Sequence, residues 1–149
     1  MLPVIDKKFV GKEYSAKEYE IGREKMKEYA AALSDMNPYY HDKEFGKRSK
    51  YGDNIAPPLF ASVYNLMGCA DMFFDPELKL NMAMLVHGEQ EFEFLKPVKP
   101  GDVLTTSGKI VDIQQKGSND LVTFEARSVN QDGDLVTIGR ATFVIRGGN

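Results

Sequence analysis

The residues best suited to chemistry in this chain lie in the run Asp35-Met36-Asn37-Pro38-Tyr39-Tyr40-His41. An imidazole titrates near neutral pH and can carry protons there, and a neighbouring carboxylate can share that work. His41, six residues after Asp35, is one candidate for such a pair; beside Asp42 it also reads as a solvent-facing loop histidine. The phenols of Tyr39 and Tyr40 have an ordinary pKa of about 10, so either would need strong tuning to act as a base. Cys69 is the one cysteine and stands in an apolar run, where a buried, inert thiol is the ordinary state. One cysteine and two histidines without close spacing give no metal signature.

The elements that must position these groups follow from periodicity. Residues 13–21 carry enough aromatic and β-branched content for a first strand. From Arg23 to Ser34, Met26, Tyr29, Ala30 and Leu33 recur at helical spacing, and Asn37-Pro38 ends that helix, because the residue before proline is pushed out of the helical region. Asp35 is thus expected at a helix exit, where site residues tend to be placed. Residues 41–56 read as a polar loop with one helical turn. Pro57-Pro58 then opens a second, longer helix to about Phe74, since proline is tolerated in a first turn. Leu59, Val63, Leu66, Met67, Ala70, Phe73 and Phe74 form its apolar stripe, with Phe60 and Met72 extending it, so this helix is expected to be buried.

After Asp75-Pro76 the period becomes two, giving strands at about 82–96, 102–115, 120–131 and 135–146. The breaks between them are turn-like and short, which makes the strands antiparallel. The expected class is α+β, an antiparallel sheet wrapped around a long central helix, in one domain over residues 1–149.

The motif Asp35-x-Asn37-Pro38, with Pro58 eighteen residues beyond Tyr40, resembles the active-site segment of the MaoC-like (R)-specific enoyl-thioester hydratases, which have the hot-dog fold. Those enzymes carry Asp-x-Asn-Pro-x-His and a His-Gly or Pro-Gly step on the next loop. In that family the Asp and His activate water, and the glycine N–H helps hold the thioester oxygen. Laid over the motif without gaps, the His position falls on Tyr40 and the Gly position on Pro58. The segments Ile55-Ala56-Pro57-Pro58-Leu59-Phe60 and His87-Gly88-Glu89-Gln90-Glu91-Phe92-Glu93-Phe94, continuing through Lys96-Pro97-Val98-Lys99-Pro100-Gly101-Asp102, resemble the FAS1-like dehydratase, or MaoC N-terminal, subgroup. Domains of that subgroup often pair with a second hot-dog domain that holds the working Asp and His.

Losing the general base is expected to cost roughly 10²–10⁴-fold. Losing one oxyanion donor, which proline lacks, costs about 10²–10³-fold. The expectation is therefore a non-catalytic partner of a MaoC-like subunit, with Tyr40 and Pro58 as degenerate site positions. It would contribute acyl-chain binding and dimer stability to an (R)-specific 3-hydroxyacyl-thioester dehydratase or 2-enoyl-thioester hydratase. Tyr39, Tyr40, Phe60 and Tyr64 are candidates to line an acyl tunnel, with core packing the ordinary role of Phe60 and Tyr64. The alternatives are a homodimeric hydratase using Asp35 and His41, or an acyl-thioester-binding protein without catalysis. His87 is read as a structural residue sharing a strand face with Glu89, Glu91 and Glu93. The substrate would be carried as a CoA or acyl-carrier-protein thioester, with no further cofactor and no metal.

Composition sets the remaining bounds. The net charge is −3, with no basic patch of the kind nucleic acid requires. The short run Lys47-Arg48-Lys50 reads as a solvated loop or as a phosphate contact. No apolar run approaches the ~20 residues of a membrane span, and the N-terminus lacks a signal-peptide core, so a cytoplasmic protein is expected.

Overall fold

In the computed structural model, which describes residues 4–147, the period-two segments form five strands. They are β1 (Glu13–Glu20), β2 (Leu85–Phe94), β3 (Val103–Lys116), β4 (Asn119–Val129) and β5 (Leu135–Ile145). Their order is β1-β3-β4-β5-β2, and every pair is antiparallel. β3 and β4 are joined by Gly117-Ser118 alone, with Gly117 at φ 62°, a conformation a residue without Cβ adopts at little cost. The helical segments pack against one face of the sheet, which is the hot-dog arrangement of the α+β class. Among the described residues no helix is long and apolar enough to cross a membrane.

The central helical segment is not one regular helix. It runs as a 3₁₀ turn (Pro58–Phe60), then α4 (Ala61–Tyr64), a second 3₁₀ turn (Leu66–Cys69) and α5 (Ala70–Phe73). The break after Tyr64 has a cause in the sheet. The Thr106 hydroxyl donates to the Tyr64 carbonyl, and the Asn65 amide donates to the Ala126 carbonyl and to Ser128. These side chains draw the backbone towards the strands, and the Gly68 N–H closes onto the Asn65 carbonyl in the tighter 3₁₀ manner. The face turned inward is Phe60, Ala61, Tyr64, Cys69 and Met72, all buried, whereas Leu59 and Phe74 of the expected stripe are 55% and 81% exposed. The stripe read from the sequence is therefore corrected: each 3₁₀ residue advances about 120° around the axis where an α-helical one advances about 100°, so the face drifts.

Two apolar clusters fill the space between helix and sheet. One gathers Cys69, Met72, Ile110, Val122, Phe124 and Phe143; the other gathers Ile21, Met26, Phe60, Tyr64, Leu104 and Val136. Strand β2 lies at the edge, and its pairing to β5 slips by one residue at Gly88, between His87 and Glu89. The bulge places His87 opposite Phe143, with the rings 4.9 Å apart, and leaves Glu89, Glu91 and Glu93 opposite Thr142, Arg140 and Ile138. His87 and the three glutamates thus lie on opposite faces, which corrects the expectation of a shared one; an inserted residue reverses a period of two.

Candidate functional site

Helix α1 (Arg23–Ala32) delivers Asp35 to the site through a defined C-terminal cap. The Ser34 N–H donates to the Ala31 carbonyl and the Asp35 N–H to the Ala30 carbonyl, with Ser34 left-handed at φ 58°. This is the Schellman closure, with serine where glycine is the usual residue. Asp35 Oδ1 then accepts from the Asn37 N–H at 3.2 Å, and Asn37 Oδ1 accepts from the Tyr39 N–H at 3.1 Å. Asn37 caps α2 (Pro38–His41), and Asp42 caps α3 (Lys43–Arg48) by accepting from the Phe45 N–H. Within the expected polar loop of residues 41–56 the helical turn is α3, and α2 precedes it over the motif itself. Their shared boundary residue, Asp42, engages the backbone of Phe45 and not His41.

Tyr40 is half-buried, and burial followed by the nearby Asp35 charge raises the pKa of its phenol above the ordinary value. The Tyr40 phenol is thus within range of the Asp35 charge. His41 is held differently, since its Nε2 lies 2.8 Å from the Asp35 backbone carbonyl. A carbonyl only accepts, so Nε2 carries the proton and the imidazole engages the backbone of Asp35. Tyr39 packs edge-on against Phe45 and Tyr51, with ring centroids 4.9 and 5.8 Å away. In the basic run, Lys47 pairs with Glu44 at 3.0 Å, Arg48 Nε donates to the Glu44 carbonyl, and Lys50 sits over the Tyr51 ring.

A clamp joins this segment to the next loop. Asn54, 1% exposed, donates through Nδ2 to the carbonyls of Tyr39 (3.0 Å) and Asp42 (2.8 Å), which flank Tyr40-His41. Its Oδ1 accepts from Arg23 Nη1 at 2.7 Å, while Arg23 Nη2 pairs with Asp53. Burial alone would raise the Asp53 pKa, but the Asn54 N–H and the Arg23 guanidinium outweigh it and hold the carboxyl below its usual range. The Ile55 N–H also donates to the Tyr39 carbonyl, and the Ala56 N–H to that of Val98.

Below the clamp an apolar groove of about 270 Å³ runs between the 51–58 loop and residues 94–98. Tyr51, Ile55, Pro58, Tyr64, Phe94 and Leu95 are among its walls. Of the sequence candidates, Pro58 and Tyr64 line this groove, and Pro58 offers it no N–H. Phe60 is fully buried in the core against Tyr19, Tyr29 and Tyr64, away from the groove. Tyr39 reaches the groove only through Tyr51.

The family model described as "FAS1-like, dehydratase domain region" matches residues 8–138. The chain belongs to this family. Its relatives include a UPF0336 protein of Saccharopolyspora erythraea, 38% identical over 144 residues, spanning 96% of this chain and 92% of the relative. A solved structure titled "MaoC-like dehydratase" is 27% identical with a TM-score of 0.83, covering 94% of this chain and 43% of that one. The truncated HadBC (3R-hydroxyacyl-ACP dehydratase) complex of Mycobacterium tuberculosis is 26% identical with a TM-score of 0.76, covering 89% of this chain and 92% of its counterpart. The MaoC-like dehydratase and (R)-hydratase superfamily is thus that of the present FAS1-like dehydratase region.

In this FAS1-like chain Asp35 and Asn37-Pro38 stand at the exit of α1. The Tyr40 phenol, within range of the Asp35 charge, is made less acidic by burial, and the helix start at Pro58 lacks a donor. Sequence reasoning missed Arg23, Asn54, Tyr51 and the 94–98 wall. Asn54 finds partners 12, 15 and 31 positions away, which no local pattern announces. The Phe94-Leu95 pair, two adjacent apolar residues closing an alternating strand, was the one available signal for the groove.

Proposed function

We propose that this chain is the non-catalytic, acyl-binding subunit of an (R)-specific 3-hydroxyacyl-thioester dehydratase or 2-enoyl-thioester hydratase, paired in the cytoplasm with a catalytic MaoC-like hot-dog subunit. The observation that carries this reading is the half-buried Tyr40 within range of the Asp35 charge, its phenol pushed further from neutrality. A phenol is already a poor base at neutral pH, and burial moves this one further from it, away from the proton transfer between water and an enoyl thioester. Pro58 supports the same reading, because enolate charge developing in the groove beside it would meet no N–H at that position. The groove itself suits an acyl chain carried as a CoA or acyl-carrier-protein thioester: it is mainly apolar and close to the ~300–1,000 Å³ of ordinary ligand sites. Pairing is supported by the HadBC neighbour, a 3R-hydroxyacyl-ACP dehydratase solved as a complex, and by the unpaired edge of β2, which a partner strand would cover.

A second reading, a homodimeric hydratase, rests on His41, whose Nε2 is engaged by the Asp35 carbonyl and whose Nδ1 lies outside that bond. Hydration of crotonyl-CoA and of a longer 2-enoyl-CoA separates the two. The pure chain is expected to be inactive and to raise the activity of a co-expressed MaoC-like subunit. Robust activity of the chain alone, abolished by His41→Ala, would establish the second reading and sink the first. Acyl-thioester binding with no activity in any mixture would leave a binding protein.

A further inference from the structure

The buried part of the groove lining is Pro57, Tyr64 and Val98. Among the groove-lining side chains only Tyr64 comes from the central helical segment beyond its first turn, and it is 2% exposed, so only a sliver of its ring meets the groove. The ring is locked from behind, because its hydroxyl lies 2.8 Å from Thr137 Oγ1, and Thr137 is itself fully buried. Burial pushes the phenol up to about 12, so it stays neutral and keeps this hydrogen bond.

Beyond the ring the interior turns polar. Thr137 stands opposite Ser128 in the β4–β5 register, and Ser128 Oγ is 2.6 Å from Thr106 Oγ1. Asn65 completes the set; its Nδ2 is used by Ala126 and Ser128, while its Oδ1 has no partner among the described residues. That oxygen presses on Gly139, where a Cβ would stand 1.9 Å from it. A polar chamber closed in this way is a poor continuation for a hydrocarbon chain, because its hydroxyls are already paired and there is no room beside them.

We infer that Tyr64 sets the depth of the groove and thereby the acyl-chain length this subunit accepts, an inference that rests on the reading of the groove as the acyl site. A growing chain gains affinity while its methylenes enter the groove and stops gaining once its end meets the Tyr64 ring. Thr137 acts through Tyr64 as a positioning residue, fixing the ring in the groove lining.

The test is a ladder of saturated acyl-CoA thioesters from butyryl to dodecanoyl, bound to the full-length protein and followed by calorimetry. In the wild type each added methylene should tighten binding about fourfold within the groove, and less than twofold past the limit. Tyr64→Ala should move that limit to longer chains by two carbons or more. Tyr64→Phe, which keeps the ring, should leave it in place. If Tyr64→Ala does not fold, Tyr64→Leu removes the ring with less lost volume and carries the same expectation. Leu95→Trp, which obstructs the groove mouth, separates the two levels of the argument. Weakening at every length in Leu95→Trp, with an unmoved limit in the Tyr64 variants, would overturn the role of Tyr64 and leave the acyl groove standing. Unchanged binding in Leu95→Trp, or no acyl-CoA binding by the wild type, would overturn both.

Discussion

The Asn54 clamp gives the sharpest quantitative prediction, because an isosteric substitution should be at least as damaging as a truncation for a reason visible in its geometry. Asn54→Ala removes two neutral hydrogen bonds, to the carbonyls of Tyr39 and Asp42, and one bond from the Arg23 guanidinium. Neutral bonds contribute about 1 kcal/mol each and charge-assisted ones about 1.5–3 kcal/mol. The two carbonyls are not orphaned, since Ile55 and Gly46 still donate to them. The loss should therefore lie near the low end, about 3.5 kcal/mol. At ~2–4 °C per kcal/mol for a chain of this size, Tm should fall by roughly 7–14 °C. Asn54→Asp is isosteric and keeps the acceptor for Arg23, yet it sets a carboxylate oxygen where the amide nitrogen lay 2.8 and 3.0 Å from two carbonyl oxygens. Repulsion at those distances should make it at least as damaging as alanine. The assay is thermal unfolding by circular dichroism, with Arg23→Ala as a third variant to isolate the charged contact. An Asn54→Asp protein melting within about 2 °C of the wild type would refute the assignment of the amide and the clamp with it.

Three further outcomes follow from the geometry. Ser34→Gly should stabilise by up to about 1 kcal/mol, because glycine relieves the left-handed φ of 58°; a lowered Tm would show that the serine side chain has a role of its own. Asp75 is drawn below its usual range, the hydrogen bonds from Lys12 and Tyr14 overcoming the effect of burial, and Asp53 is lowered likewise. Folded-state pKa values below the unfolded ones give stability that is present above pH ~4 and lost as pH falls through the folded values. Tm should therefore drop steeply below pH ~4, and an Asp53→Asn, Asp75→Asn double variant should show a shallower acid limb. Finally, Tyr40→His with Pro58→Gly should raise enoyl-CoA hydration by the isolated chain at least ~10²-fold over either single change, and no gain would place the missing chemistry elsewhere.

The sheet was legible in the sequence because alternation and turn residues report on local geometry. The strands read at 102–115 and 135–146 are found as β3 and β5 within two residues at each end. Gly88 was not legible as a bulge, since an inserted residue is defined by its partners Phe143 and Thr142 on another strand. The winding of the central segment was hidden for the same reason; Thr106 and Ser128, some forty and sixty positions from Tyr64 and Asn65, decide where it breaks. At the site, Asp35 at a helix exit was read correctly from Asn37-Pro38. That one serine could hold the left-handed cap, and that an asparagine twenty residues on would hold the Tyr39 and Asp42 carbonyls, depended on tertiary partners.

The bare edge of β2 and the groove share a stretch of chain. Phe94, where the strand ends, and the next two residues, Leu95 and Lys96, form one groove wall. Any neighbour that adds a strand along this edge therefore bears on that wall, and any chain lodged in the groove bears on the edge. Association and ligand affinity are then two readings of one coupling free energy, and each must alter the other by the same factor. Titrating ligand against subunit dissociation, or subunit against ligand release, should return a single number.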